Sequence, residues 1–158
     1  MATYNRTATG GGTAGHPSNA PQRYVITSPV WDTADGGTGG DIVQLIDVPA
    51  DTMIVSGCLE VLEARGNGQI TMDIGFTGGD VDTFLDGSAC AAGFSPFLSA
   101  AVGATSSNPV MVTTADTIDA LILDGGSSGE SALRFRIHVC MVDVSKNPVE
   151  SATVSTGT

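Results

Sequence analysis

Positive charge is the first thing this chain has little of. Six Lys and Arg stand against seventeen Asp and Glu, for a formal net charge of −11 over 158 residues. So few cations cannot neutralise a run of phosphates, which excludes general affinity for nucleic acid. Aromatic side chains make up 5% of the sequence, thin material for a carbohydrate platform. Three cysteines, Cys58, Cys90 and Cys140, are an odd number at wide spacing and read as reduced, mostly buried thiols, with a disulfide between two of them left open. No apolar run approaches the roughly 18–20 residues of a membrane span. The N-terminus has no basic region followed by a hydrophobic stretch, so no signal peptide is expected.

Catalytic chemistry is missing as well. A nucleophile needs a base that an acid orients. The two histidines are His16, in a polar head, and His138, in the last apolar segment, and no Gly-x-Ser-x-Gly motif is present. Gly10-Gly11-Gly12 and Gly36-Gly37 lack the Lys-Ser/Thr of a phosphate loop and the strand–helix setting of a dinucleotide loop, so they read as flexible loops. The expectation is a protein that is not an enzyme and takes no cofactor.

What the chain does have is glycine, 21 residues of it, in clusters that punctuate short apolar stretches. That is the pattern of many short strands separated by turns. The spacing predicts strands over 23–30, 41–48, 52–63, 69–76, 109–114, 117–124 and 131–144. In the third, Met53, Val55, Leu59 and Val61 fall in one register. In the fourth, Ile70, Met72, Ile74 and Phe76 share a face; in the last, Leu133, Phe135, Ile137, Val139 and Met141 do. Period-2 alternation marks strands with one buried side. Only 80–93 has helical character, as a short crossover or cap. No repeat at periods of 20–50 residues points to a propeller or solenoid. The expected fold is all-β: an antiparallel β-sandwich, jelly-roll-like, with an extended N-terminal arm.

Residues 1–22 are Gly, Thr, Ala, Ser and Asn with almost no aliphatic side chains, and 146–158 are similar. Neither buries enough apolar surface to offset the entropy of ordering. The domain reading is therefore a flexible arm over 1–22, a sandwich over 23–145 and a flexible tail over 146–158.

Three groups of residues invite a function. Asp80, Asp82 and Asp86 offer oxygen ligands of the kind Ca²⁺ takes, but Phe84 interrupts the spacing of an EF-hand loop. The plain alternative is that Asp80 caps a short helix starting near Val81. Arg134, Arg136 and His138 alternate on the outer side of the last strand. They either pair across strands with a carboxylate such as Asp119 or Glu60 or meet an acidic patch on a partner or on a second copy of this chain, for which Arg is well suited. Trp31 either seals the sandwich edge or anchors an interface, since Trp, Tyr and Arg dominate interface energetics.

The central region carries a resemblance. Ile46-Asp47-Val48-Pro49-Ala50-Asp51-Thr52-Met53-Ile54-Val55 is followed by Leu59-Glu60-Val61-Leu62-Glu63-Ala64, then by the run from Ile70 to Phe84. This resembles head decoration (cement) proteins of tailed bacteriophages, of the marine and cyanobacterial type, over residues 41–90. The resemblance implies a virion structural protein on the capsid exterior, made in the host cytoplasm. Its partners would be the major capsid protein and its own copies as a homotrimer, with no nucleic acid or membrane. It would clamp adjoining capsid subunits, and the head over 1–22 would match an arm lying across neighbours. Tyr4, Arg6 and His16 are the arm side chains with most to bury or pair. A tail or baseplate adaptor, and a carbohydrate- or calcium-binding β-sandwich module, stand as alternatives.

Overall fold

The computed structural model describes residues 3–8, 22–33, 39–64, 70–77, 79–97, 109–123 and 133–145. They form eleven strands: β1 (Thr3–Ala8), β2 (Gln22–Thr27), β3 (Trp31–Asp32), β4 (Ile42–Val48), β5 (Thr52–Glu63), β6 (Thr71–Phe76), β7 (Leu85–Ala89), β8 (Gly93–Pro96), β9 (Val110–Val112), β10 (Asp116–Ile122) and β11 (Arg134–Asp143). One sheet has the order β1-β4-β10-β6-β7; the other has β2-β11-β5-β8, with β3 also on β11 and β9 also on β5.

β2 and β3 lie along the same side of β11, at His138–Asp143 and Arg134–Phe135. β8 and β9 likewise share one side of β5. With each pair counted as one interrupted strand, the antiparallel pairing is nested. β2 pairs with β11, β4 with β10, β5 with β8 and β9, and β6 with β7. A long hairpin rolled in this way into two facing sheets is the jelly roll.

Alternation drives the packing. On β11, Phe135, Ile137, Val139 and Met141 are fully buried, and the residues between them turn outward. Met72 and Ile74 on β6 and Ile118, Ala120 and Ile122 on β10 close the core from the opposite sheet. Each large apolar side chain buried this way contributes about 1.5–3 kcal/mol relative to exposure. The two sheets are joined by rings. Phe84 meets Phe76 edge-on, with centroids 5.2 Å apart, and stacks on Phe97 at 5.2 Å. Phe97 lies against Gly57 of β5, where a Cβ would collide with the ring and with the His138 carbonyl. At Gly75 of β6 a Cβ would collide with the backbone of Asp80 and Val81, so the β6–β7 connection folds onto the outer side of its own sheet.

Three sequence expectations change. The 80–93 segment holds no helix: β7 and the start of β8 occupy it, because Phe84 and Leu85 are drawn into the core and Gly87 takes a left-handed φ of 56°. Asp80 instead closes a turn, its carbonyl accepting from the Thr83 hydroxyl at 2.6 Å. The Met53-Val55-Leu59-Val61 register holds only in its second half. The β5–β11 pairing shifts between Cys140 and Met141, so Ile54 enters the core while Met53 and Val55 stay half-buried. Finally, residues Thr3–Ala8, read from the sequence as part of the arm, run parallel to β4 in the register Thr3↔Ile42, Tyr4↔Val43 and Asn5↔Gln44. That pairing satisfies β4 backbone groups that would otherwise form an open sheet edge.

A candidate docking face

The outer face of the β2-β11-β5-β8 sheet carries the basic stripe that the sequence singles out. His138 of β11 lies between Thr27 of β2 and Cys58 of β5; Arg136 stands opposite Glu60, and Glu60 opposite Phe94 of β8. One carboxylate oxygen, Glu60 Oε2, accepts from Arg136 Nε and sits 2.8 Å from His138 Nε2, while His138 Nδ1 is 2.9 Å from the Thr27 hydroxyl. The Arg136 bond first, and the His138 bond second, hold the Glu60 carboxyl below its usual range. Arg134 reaches Asp32 at 3.7 Å and Glu63 at 4.0 Å. Arg23 Nε donates to Cys140 Sγ at 2.9 Å.

Of the two roles the sequence leaves open for the stripe, internal pairing is present, and Glu60 rather than Asp119 supplies it. Asp119 belongs to β10, in the opposite sheet. Cross-strand geometry brings Arg136 and His138 to one acid because residues 136 and 138 are neighbours on the same pleated face.

Beside the ion pairs the face is apolar. A groove of ≈ 270 Å³ runs between β2, β11 and β5, lined by Val25, Ser56, Cys58, His138 and Cys140 among others. Phe94 (67% exposed) and Val25 (69%) flank it, and Met111 of β9 (53%) continues the β8 edge. Cys58, Cys90 and Cys140 are free thiols; burial pushes Cys90 up to about 12. Sequence reading passes over Val25, Phe94 and Met111. The available signal is phase: Val25 falls between the inward Tyr24 and Ile26, the pattern of an outward position.

The other sheet turns two carboxylates, Asp119 and Asp73, outward and buries them. Asp119 is 3% exposed; its Oδ2 accepts from the Thr77 amide at 3.1 Å, and its Oδ1 has no partner among the described residues. Burial pushes its pKa up to about 6. Asp73 accepts from the Gly87 amide at 2.7 Å and is also raised, chiefly by burial. Asp119 thus holds the start of the β6–β7 connection and Asp73 the irregular stretch of β7. Asp82 is raised by a hydrogen bond shared with Asp80, then by burial and by the charges of Asp80 and Asp86. No group of three or more His, Cys, Asp or Glu side chains among the described residues is arranged to hold a metal ion; Asp80 and Asp86 are exposed and Asp82 is half-buried.

Trp31 requires a correction. It is 2% exposed and belongs to the core cluster, so it seals the sandwich and cannot anchor a partner from the chain's own surface. Tyr4 and Arg6 fall on β1, and His16 lies outside the described residues.

No family model and no curated protein matches the chain. Solved structures do. A chain of the cyanophage Pam1 capsid asymmetric unit aligns with a TM-score of 0.61 at 16% identity, over 81% of this chain and 89% of that one. A chain of the acid-stable capsid of Helicobacter pylori bacteriophage KHP30 aligns at 0.54 and 13%, covering 78% and 93%. One from the capsid of Ralstonia phage GP4 aligns at 0.51 and 19%, covering 78% and 83%. At these identities the shared property is the fold.

Proposed function

We propose that this chain is a non-enzymatic virion structural protein that binds the outer surface of a bacteriophage head and clamps adjacent major capsid subunits. The observation that carries the reading is the fold. Three chains from phage capsid structures align along most of their own length, as whole domains rather than fragments. The net charge of −11 favours a protein partner over nucleic acid. In this reading the protein is a head decoration protein made in the host cytoplasm, active as a homotrimer, with residues 1–22 as the arm. Tyr4, Arg6 and His16 contact capsid protein from that arm. An edge strand such as β1 makes the same backbone bonds to a neighbour's sheet as to its own, and three arms on one trimer raise each other's effective concentration.

The test is co-sedimentation of the purified chain with preassembled, expanded heads that lack it, and with tail intermediates. Saturable binding to heads alone, weakened by deletion of residues 1–22, is expected. Binding to tail intermediates and not to heads would replace this reading with that of a tail or baseplate adaptor.

A further inference from the structure

We infer that the β6–β7 connection is a pH-sensitive latch: Asp119 of β10 holds it shut in acid and releases it towards neutral pH while the sandwich stays folded. The latch needs neither a capsid nor a second copy of the chain.

Geometry is the first argument. Asp119 stands directly opposite Gly75 of β6, and its Oδ2 accepts from the Thr77 amide at 3.1 Å. The place that a side chain at residue 75 would take is filled by the backbone of Asp80 and Val81, so the connection lies beside the Asp119 carboxyl. The turn closes on itself: the Phe76 amide donates to the Asp80 carbonyl at 3.0 Å, and the Gly79 amide to the Phe76 carbonyl at 3.2 Å. The Thr77–Asp119 bond ties that turn to a different strand. Its side chains bury little, since Thr77, Gly79 and Asp80 are exposed and Val81 and Asp82 half-buried. A segment with so few buried apolar groups opens at a lower free energy than the core strands do.

Chemistry supplies the switch. Asp119 is 3% exposed and its Oδ1 has no partner among the described residues, so a negative charge there is poorly compensated. Facing it are Gln44 on β4, with Asp47 further along, Gly75 and Asp73 on β6, Thr117 and Asp116 on β10 itself, and Thr77, Asp80 and Asp82 in the connection. None of these elements contains a Lys, Arg or His. Burial, and after it the charge of Asp116, raise Asp119 to about 6 against the bonds from Thr117 and Thr77. Lifting the connection lets water reach the carboxyl and returns it towards the ordinary value of ~3.9. The closed form therefore binds the proton more tightly. Closure is fully favoured below pH ~4, weakens as pH rises from there to ~6, and levels off above. Asp82, raised by its hydrogen bond with Asp80, pushes the same way.

The test is native-state hydrogen exchange of the purified chain, read as protection factors at about pH 5 and about pH 7, with and without low denaturant. The Thr77 amide is expected to be at least ~10-fold less protected than the best-protected β11 amides, and insensitive to denaturant where they are sensitive. Its protection is expected to fall about tenfold between the two pH values. In Asp119→Asn, which stays neutral and can still accept from the Thr77 amide, that fall is expected to shrink below about threefold. Should the variant lack a cooperative melt, the wild-type profile alone decides. A Thr77 amide with the protection and denaturant dependence of β11 overturns the inference, because the connection then opens only when the whole domain unfolds. So does protection at Thr77 that is the same at both pH values, or an Asp119→Asn variant that keeps the full wild-type fall.

Discussion

The outer sides of the two sheets place polar groups next to a shared core in opposite ways. On the β4-β10-β6-β7 sheet, Asp73 and Asp119 are nearly sealed from solvent, each held by a backbone amide. On the β2-β11-β5-β8 sheet, Glu60 keeps 14% of its side chain exposed and is met by Arg136 and His138. Burial raises the first two acids and pairing lowers the third. The difference teaches which side its own chain covers and which it leaves open. A carboxyl sealed from solvent costs stability when ionised, whereas a paired one keeps its charge.

The largest expected effect removes what the two sides share. Phe84→Ala takes out the ring between Phe76 and Phe97, and loss of a buried Phe costs about 3–5 kcal/mol. Denaturant unfolding should show this as a lower midpoint with a single transition; two transitions would mean the sheets unfold separately.

Next comes Asp119→Asn. Because the folded pKa is raised to about 6, folded and unfolded forms are alike below pH ~4. Between there and ~6 the folded state holds the extra proton, so stability falls as pH rises, and the full penalty is present at pH 7. The variant should gain on the order of 1–3 kcal/mol at pH 7 and lose that gain on acidification.

Glu60→Gln is the smaller counterpart, with the opposite sign. A lowered folded pKa contributes stability above the unfolded value that is lost as pH falls. The variant should melt lower than wild type at pH 7 and approach it in acid. Matching pH profiles for the two variants would erase the contrast between the faces.

Much of this was legible in the sequence where alternation is strict. The β11 pattern set Phe135, Ile137, Val139 and Met141 inward and the Arg134-Arg136-His138 stripe outward, and β6 read as cleanly. Legibility failed where the phase slips, at the β5 bulge that exchanges Ile54 for Met53 and Val55, because a bulge leaves no period-2 trace. It failed again for β7 and β8. These short strands are rich in Gly, Ser and Ala and are held by pairing to β6 and β5 rather than by their own propensity. The stripe was visible as residues, but its acid was one of two candidates until the register chose Glu60. Trp31 could be read either way, since one aromatic at a strand end carries no phase.

The most direct test of the division between the faces is oxidative side-chain footprinting of the dilute, isolated chain and of the same chain assembled on heads. Loss of reactivity at Phe94, Met111 and His138, with Leu123 unchanged, is the predicted result. Protection of Leu123 and the β6–β7 connection, with Phe94 and Met111 still reactive, would contradict it and make the acidic side the contact surface.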